Sequence, residues 1–262
     1  MPVTASAIAP PAPRGSRSVM EPPSVSSVRL YVEHPLGPEQ TVPLDRDQAH
    51  YLFGVMRLGP GAALLLFNGR DGEWQAEVTE AGKRSGALIC RAPGVPQRDP
   101  PDLWLLFAPL KKARTDFVVE KAVELGARRI CPVQTAFTNA ERIRRDRLQA
   151  TAREAAEQCG ATAVPEVAEL ARLDRMLSDW PAERALLVAD EGLAGHATAG
   201  AWPPAPAAVL IGPEGGLSEA ERARLAAHPA VRRIALGPRI LRAETAALAA
   251  LTLWQAAQGD WT

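Results

Sequence analysis

Two glycine-containing segments near the C-terminal end carry the residue types best suited to chemistry. Residues 209–221 (VLIGPEGGLSEAE) run from an apolar strand through a loop with three glycines into a helix. Residues 236–246 (LGPRILRAETA) also follow a short strand, turn at Gly237 and lead into a helix. Glycine lets the backbone approach a ligand closely, and ligands of open α/β sheets gather at the carboxyl ends of strands. The two segments therefore predict a binding site. For the first segment alone, a tight turn without a ligand is the alternative.

Charged side chains accompany the second segment. Arg239 and Arg242 lie three residues apart, and Glu244 begins the predicted helix, where a carboxylate suits the helix dipole. Arg242 is the candidate cation for a negatively charged transition state, and Glu244 is a candidate base or orienter of Arg242. The alternatives are a solvated surface charge for Arg242 and a simple first-turn acid for Glu244.

A basic cluster precedes another predicted helix. Lys111, Lys112 and Arg114 lie just before Thr115, which we expect to be the N-cap of a helix over residues 115–125. Three cations there oppose the helix dipole, so an anionic partner would relieve a cost. A denser arginine run over residues 142–147 is diluted by Asp146 and is also typical of a solvated face.

The elements that must position these residues fall into two groups. Short strands with turn dipeptides between residues 28 and 97 predict a small β-barrel. Strands then alternate with helices over residues 98–262, which predicts an α/β domain with a mainly parallel sheet. We expect Phe117, Val118, Ala122 and Leu125 to share the buried face of the helix over 115–125. Ser218 and Glu221 predict a capping box.

Composition excludes several classes of protein. The 262 residues carry 30 Lys and Arg against 30 Asp and Glu, so nucleic acid would have to be bound by local clusters. No apolar run is long enough to span a membrane. Three widely spaced cysteines argue against a disulfide framework and fit small buried residues in a reducing compartment. The four histidines show no metal-binding spacing, and no metal is expected. The composition of residues 1–27 predicts a disordered tail, and Met20 is an alternative start of translation.

The motifs LIGPEGGLSEAE and LGPRILRAETAAL, at their mutual spacing, resemble the ribosomal RNA small subunit methyltransferase E (RsmE) family of the SPOUT superfamily. The resemblance extends through KKARTDFVVEKAVELGA, EAAEQCG and HYLFGVMRLGPG, over residues 28–260. It implies a PUA-like β-barrel at residues 28–97 and a SPOUT α/β domain at residues 98–262 with a C-terminal trefoil knot. It also implies S-adenosylmethionine-dependent methylation of N3 of a uridine in 16S rRNA of the small ribosomal subunit, in a cytoplasmic homodimer.

The resemblance also assigns residues. The cofactor would be bound by two loops, comprising Leu210, Ile211, Gly212, Pro213, Glu214, Gly215, Gly216, Leu236, Gly237, Ile240, Leu241 and Arg242. Catalysis would fall to Arg242 and Glu244, and RNA contacts to Arg29, Arg57, Lys111, Lys112 and Arg114. Gly54 and Ala161 stand where many members of the family have polar or basic residues, which weakens RNA-contact roles at those two positions. The nearly all-apolar helix over 243–257 fits a buried dimer contact.

Two other readings stay open from the sequence. Another SPOUT activity, such as ribose 2′-O or guanine-N1 methylation, would use the same kind of cofactor loops. A non-catalytic RNA-binding protein would retain the knot only as a dimer module, but the three glycines of the first loop argue against it.

Overall fold

The computed structural model describes residues 28–138, 142–195 and 202–261. The predicted tail over residues 1–27 lies outside the described residues. All of the predicted RNA-binding and cofactor-binding residues lie within the described ranges.

The N-terminal part is a five-stranded sheet in the order β1-β3-β4-β5-β2. Its strands are β1 (Arg29–Tyr31), β2 (Thr41–Leu44), β3 (Ala63–Phe67), β4 (Glu73–Ala81) and β5 (Gly86–Pro93). A short helix α1 (Arg46–Ala49) continues into a π-helix over His50–Val55. All five strands and this helical segment contribute side chains to one apolar core. Ala76 and Val78 of β4 point into this core and are buried.

Strand β2 was not expected from the sequence. It contains Pro43, which lacks the N–H that a central strand needs. The structure places β2 at the edge of the sheet, paired only with β5. An edge position is where a proline is tolerated within a strand.

The C-terminal part is a seven-stranded sheet in the order β12-β10-β11-β6-β7-β8, with β9 paired to β7. The strands are β6 (Leu103–Phe107), β7 (Arg129–Gln134), β8 (Glu166–Val167), β9 (Ala171–Arg172), β10 (Ala185–Ala189), β11 (Ala207–Ile211) and β12 (Val231–Ile234). Every pairing in it is parallel. The predicted parallel α/β architecture is confirmed.

Helices cover both faces of this sheet. They are α2 (Lys112–Glu124), α3 (Arg145–Cys159), α4 (Leu173–Ser178), α5 (Glu219–Ala227) and α6 (Ala243–Gln258). One apolar cluster joins β6 and β11 to α2, α3 and α6, and a second joins the opposite face of the sheet to α4 and α5. None of the described helices combines the length and the apolarity that crossing a bilayer requires.

The start of α2 differs from the prediction. Helix α2 begins at Lys112, and its N-cap is Lys111 rather than Thr115. Thr115 lies buried inside the helix, where its Oγ1 accepts a hydrogen bond from Leu110 N–H and donates one to Leu110 O, both at 2.9 Å. Its hydroxyl therefore ties the helix to the end of β6. Phe117, expected on the buried face, is 39% exposed.

Helix α6 buries one face within the chain. Trp254 is fully buried and donates a hydrogen bond to Pro203 O at 2.9 Å, and Gln255 donates to Leu125 O at 2.8 Å. Leu253 is exposed on the opposite side. Cysteine burial was partly mispredicted, because Cys90 and Cys131 are buried but Cys159 is exposed.

Arg29 joins the two sheets, contrary to the prediction that it contacts RNA. Its guanidinium bonds to Glu73 Oε2 at 2.8 Å and to three backbone carbonyls at the end of α3, those of Ala156, Glu157 and Ala161, at 2.7, 3.0 and 3.0 Å. Its side chain is only 10% exposed and lies over the Phe67 ring. We call this set the Arg29 contact. Since the donors of Arg29 are committed internally, the structure removes it from the RNA-binding candidates.

Candidate active site

Three loops meet at one edge of the parallel sheet. They follow β10, β11 and β12, which are neighbours in the order β12-β10-β11, so their carboxyl ends lie side by side. The two predicted loops, after β11 and β12, are therefore brought together as the strand-end rule requires. The loop after β10 joins them through a hydrogen bond from Gly195 N–H to Gly237 O at 3.3 Å.

The loops enclose a cavity of about 430 Å³, which is within the usual size of small-molecule sites. We call it the loop pocket. Its apolar walls include Ile211, Leu217, Leu236, Leu241 and Ala246. Charged groups stand among them, namely Arg114, Asp190, Glu191, Glu214, Arg222, Arg239 and Arg242. A mixed wall of this kind suits a ligand with both an apolar ring and charged ends.

The loop after β11 is fixed at both ends. Strand β11 is buried throughout. The predicted capping box is confirmed, because Ser218 Oγ accepts from Glu221 N–H and Glu221 Oε2 accepts from Ser218 N–H. Gly216 has φ +71°, and a Cβ there would stand 2.6 Å from Glu191 Oε1. A side chain at this position would therefore both strain the backbone and press into the pocket wall.

Most predicted cofactor residues line the loop pocket, and two do not. The lining residues among them are Ile211, Gly212, Pro213, Glu214, Gly216, Leu236, Gly237, Ile240, Leu241 and Arg242. The side chain of Leu210 packs fully buried in the core on the sheet face that carries α4 and α5. A Cβ at Gly215 would point toward Phe137. Cofactor contacts of these two residues stay predictions.

Sequence reasoning missed the loop after β10. Ala189, Asp190, Glu191 and Ala194 line the loop pocket. Extending the strand-end rule to the carboxyl end of β10 would have found this loop. Its lack of a glycine-rich motif hid it, since a DEG triplet is not distinctive.

Ion pairs hold the acidic groups of this missed loop. Arg233 hydrogen-bonds to Asp190 Oδ2, and Arg222 bonds to Glu191 Oε1 at 3.1 Å. Burial alone would raise the pKa of Asp190, but hydrogen bonds from Arg233 and from Gly192 N–H hold that pKa below its ordinary value. Asp190 therefore remains a carboxylate at neutral pH.

Arg114 belongs to the loop pocket rather than to a free basic surface. It pairs with Glu214 in the loop after β11, and its Nε lies 3.9 Å from Glu244 Oε1 in the first turn of α6. It thus links α2 to two other parts of the site. Glu244 is largely buried, and its Oε2 makes no hydrogen bond to the described residues.

The side chain of Arg242, unlike that of Arg114, has no ion-pair partner among the described residues. Arg242 is the N-cap residue of α6, and its exposed side chain forms no hydrogen bond or ion pair with any described residue. Among the described residues, Glu244 forms its ion pair with Arg114 and not with Arg242, and an orienting role of Glu244 toward Arg242 stays a prediction. Arg242 remains free to meet a ligand at the edge of the loop pocket.

The remaining RNA candidates lie on the surface. Arg57, Lys111 and Lys112 are exposed, and Arg57 has φ +56° at the end of the π-helical segment. In the arginine run, Arg147 pairs with Asp116 and Arg145 bonds to Val167 O at 2.9 Å, so both serve packing. In the described ranges, no three His, Cys, Asp or Glu side chains cluster as metal ligands would.

Family comparisons agree with this architecture. A family model described as an RNA methyltransferase domain matches residues 97–255. A second, described as an RNA methyltransferase PUA domain, matches residues 44–89. The first covers the parallel sheet and all three loops of the pocket, and the second covers most of the five-stranded sheet.

Individual relatives are similar over nearly the whole chain. Ribosomal RNA small subunit methyltransferase E of Mycobacterium tuberculosis is 31% identical over 237 residues, which covers 83% of this chain and 89% of the relative. The crystal structure of a Neisseria gonorrhoeae protein of the same name, bound to S-adenosyl methionine, has a TM-score of 0.83 at 28% identity and covers 90% of this chain and all of that one. A Legionella pneumophila protein in complex with the bound cofactor SAM has a TM-score of 0.82 at 28% identity, covering 90% and 99%.

Proposed function

Because the chain belongs to the ribosomal RNA small subunit methyltransferase E family, we propose that it transfers a methyl group from S-adenosylmethionine to N3 of a uridine in 16S rRNA. The observation that carries the proposal is the loop pocket, in which three strand-end loops converge on one cavity. The relatives named above give the donor and the class of RNA, and the identity of the base and atom goes beyond them.

The residues of the loop pocket fit S-adenosylmethionine. The absence of a Cβ at Gly216 leaves space beside Glu191. The positive φ of Gly237 disfavours any side chain in the loop after β12. Ile211, Leu236 and Leu241 offer apolar surface for an aromatic ring. When bound, the cofactor supplies a methyl group activated by a sulfonium centre. The carboxylates of the pocket suit that positive charge.

Arg242 is the proposed catalytic residue. Methylation at N3 of uracil requires loss of the N3 proton, and negative charge then spreads to O2 and O4. A positioned cation stabilises this charge more in the transition state than in the ground state. The guanidinium fork of Arg242 matches a uracil edge, and no partner within the described part of the chain competes for it.

Glu244 and Arg114 are proposed as positioning residues. Glu244 is not among the residues that line the loop pocket, which favours a positioning role over that of a base. Arg114 contacts Glu214 in one loop and approaches Glu244 in the first turn of α6. We assign this pair the role of fixing the loop after β11 relative to the helix that Arg242 caps.

The wider assignment follows from the same family. RNA contacts are proposed for Arg57, Lys111 and Lys112, which are exposed cations. A homodimer is proposed through the C-terminal domain, since α6 leaves Leu253 uncovered within one chain. A trefoil knot that carries the loop pocket, a cytoplasmic location and the small ribosomal subunit as the partner are parts of the same proposal.

Two measurements test the proposed function. Calorimetry with S-adenosylmethionine separates an enzyme from an RNA-binding protein that has no methyl donor. Mass mapping of methylated nucleotides on 16S rRNA, from a strain lacking the gene and from the complemented strain, identifies the modified atom. We expect one N3-methyluridine that depends on the gene. A gene-dependent methyl group on a ribose or a guanine would replace this proposal with the other SPOUT activities.

A further inference from the structure

An aromatic side chain is held outside the core next to the loop pocket. Phe137 follows β7 and is 51% exposed. Its turn is braced, because Thr135 N–H donates to Thr138 Oγ1 at 2.9 Å and Thr138 N–H donates to Thr135 O at 3.2 Å. Ala136 N–H donates to Glu221 Oε1 at 2.8 Å, which ties the turn to the capping box of α5. The ring is thus presented on a fixed backbone.

Phe137 lies against the loop after β11, which also lines the loop pocket. A Cβ added to Gly215 would stand 3.1 Å from Phe137 Cβ, a tight contact that would push the loop and Phe137 slightly apart. Gly215 and residues 136–138 line an open depression of about 370 Å³. Glu214 and Gly216, the neighbours of Gly215 in the loop after β11, line the loop pocket. The depression and the pocket are therefore both bordered by the loop after β11.

The cleft that adjoins this depression is lined by charges of both signs, with the carboxylates of Asp174 and Glu221 beside its two arginines. Ala136 borders both the depression and this cleft, whose walls include the exposed cations Arg172 and Arg224. Arg172 is paired with Asp174. Arg224 donates to the neutral acceptors Asp174 O and Ser178 Oγ and forms no ion pair within the described ranges. Both hydrogen bonds come from Nη2, so Nε and Nη1 of Arg224 have no partner among the described residues and can meet a phosphate.

We propose that Phe137 is a stacking platform for an unpaired base of the RNA substrate, with Arg224 contacting the backbone beside it. The inference rests on the proposed function, because a base methylated at an atom that pairs in a duplex must leave the stack. Sequence-specific RNA recognition uses unpaired bases laid against aromatic side chains. An exposed aromatic ring on a braced turn, beside a methyl-donor pocket and near an arginine with unused donors, has the chemistry of such a platform.

The test measures RNA affinity separately from methyl transfer. Phe137→Ala, Phe137→Leu and Phe137→Trp are compared by binding to small ribosomal subunits from a strain lacking the gene. Stacking on an aromatic contributes about 1–3 kcal/mol per base, so we expect the Ala and Leu variants to bind about 5- to 150-fold more weakly. The Trp variant should bind like the wild type. Affinity for S-adenosylmethionine should stay unchanged in all three.

Trp261→Ala is the matched control. Trp261 is also 51% exposed, but it lies beyond the last residue of α6. At 1.5 Å per residue, the sixteen residues of α6 place it about 24 Å from the first turn that borders the pocket. Its removal should leave subunit binding unchanged.

Three outcomes would overturn the inference. Wild-type binding by Phe137→Ala would remove the platform while leaving the methyltransferase intact. Wild-type binding by Phe137→Leu would show an apolar contact without stacking. A change in molecular mass of Phe137→Ala by light scattering would show that the ring contacts a second copy of the chain. Absence of methyl transfer by the wild-type protein would instead refute the proposed function.

Discussion

The Arg29 contact and the loop pocket are both built around arginines, yet they use them in opposite ways. Arg29 is 10% exposed and directs its donors at one carboxylate and three carbonyls. Arg242 is exposed and has no side-chain partner among the described residues. In the sequence both were candidates for contacting a ligand. The comparison teaches that the number of fixed internal partners separates an arginine that holds the fold from one that can meet a substrate.

Removing Arg29 should cause the largest loss of stability. Arg29→Ala leaves Glu73, only 6% exposed, as a buried charge without its partner, and breaking such a pair costs about 3–5 kcal/mol. Denaturant unfolding measures the loss. Arg91→Ala is the control, because Arg91 pairs with Glu39 and Glu77 on the exposed face of the same sheet and should cost about 1 kcal/mol or less. Equal losses in the two variants would refute the structural role of Arg29.

Removing Arg242 should lower the rate of methylation with little effect on stability. We expect Arg242→Ala to lower the rate of methylation about 100-fold, on the scale of one lost oxyanion donor, and to change stability by less than about 0.5 kcal/mol. Single-turnover kinetics and unfolding are measured on the same preparation. Arg232→Ala removes an exposed arginine outside the pocket and serves as the control. Near-normal turnover of Arg242→Ala would remove this residue from the mechanism.

Two glycines extend the comparison to the backbone. Gly216 and Gly160 both have positive φ, but a Cβ at Gly216 would contact Glu191, whereas a Cβ at Gly160 would meet nothing within 4 Å. Alanine in the left-handed region costs about 1–2 kcal/mol in either case. Only Gly216→Ala should also weaken the binding of S-adenosylmethionine, by about 10-fold, as measured by calorimetry. Equal donor affinity in the two variants would contradict the assignment of the pocket.

The smallest expected effect concerns Glu157 at the Arg29 contact. Burial is the main cause that raises the pKa of Glu157, and the hydrogen bond from Tyr31 N–H opposes it. The folded state therefore holds this proton to a higher pH than the unfolded state does. Its contribution to stability is lost as pH rises from the ordinary carboxyl pKa through the raised value.

Glu157→Gln should remove that part of the pH dependence and should not destabilise the protein at pH 7. Denaturant unfolding across pH 4–8 measures the slope. A variant that keeps the wild-type slope would assign the pH dependence to another group.

The sequence predicted the parts of the fold that have a clear period or capping signal. Strands and helices alternate over residues 98–262 as expected, and Ser218 caps α5. Thr115 was misread because a hydroxyl near a helix start predicts a cap, and only the structure shows its bond to Leu110. Local pattern does not reveal a side chain that ties two elements together.

The site was predictable where glycines marked it and not elsewhere. Gly216 and Gly237 pointed to two of the three loops, while Asp190 and Glu191 lie in a loop without a motif. Arg29 was misassigned because its partners Ala156, Glu157 and Ala161 are more than 120 residues away in the chain. Such contacts follow from domain packing, which no window of sequence contains.

A crystal structure of the full chain grown with S-adenosylmethionine tests the central claim most directly. The account predicts one donor molecule per chain, bordered by the loops after β10, β11 and β12 and in contact with Gly212, Asp190 and Leu241. A donor bound elsewhere, or a loop pocket left empty at saturating donor, would contradict it.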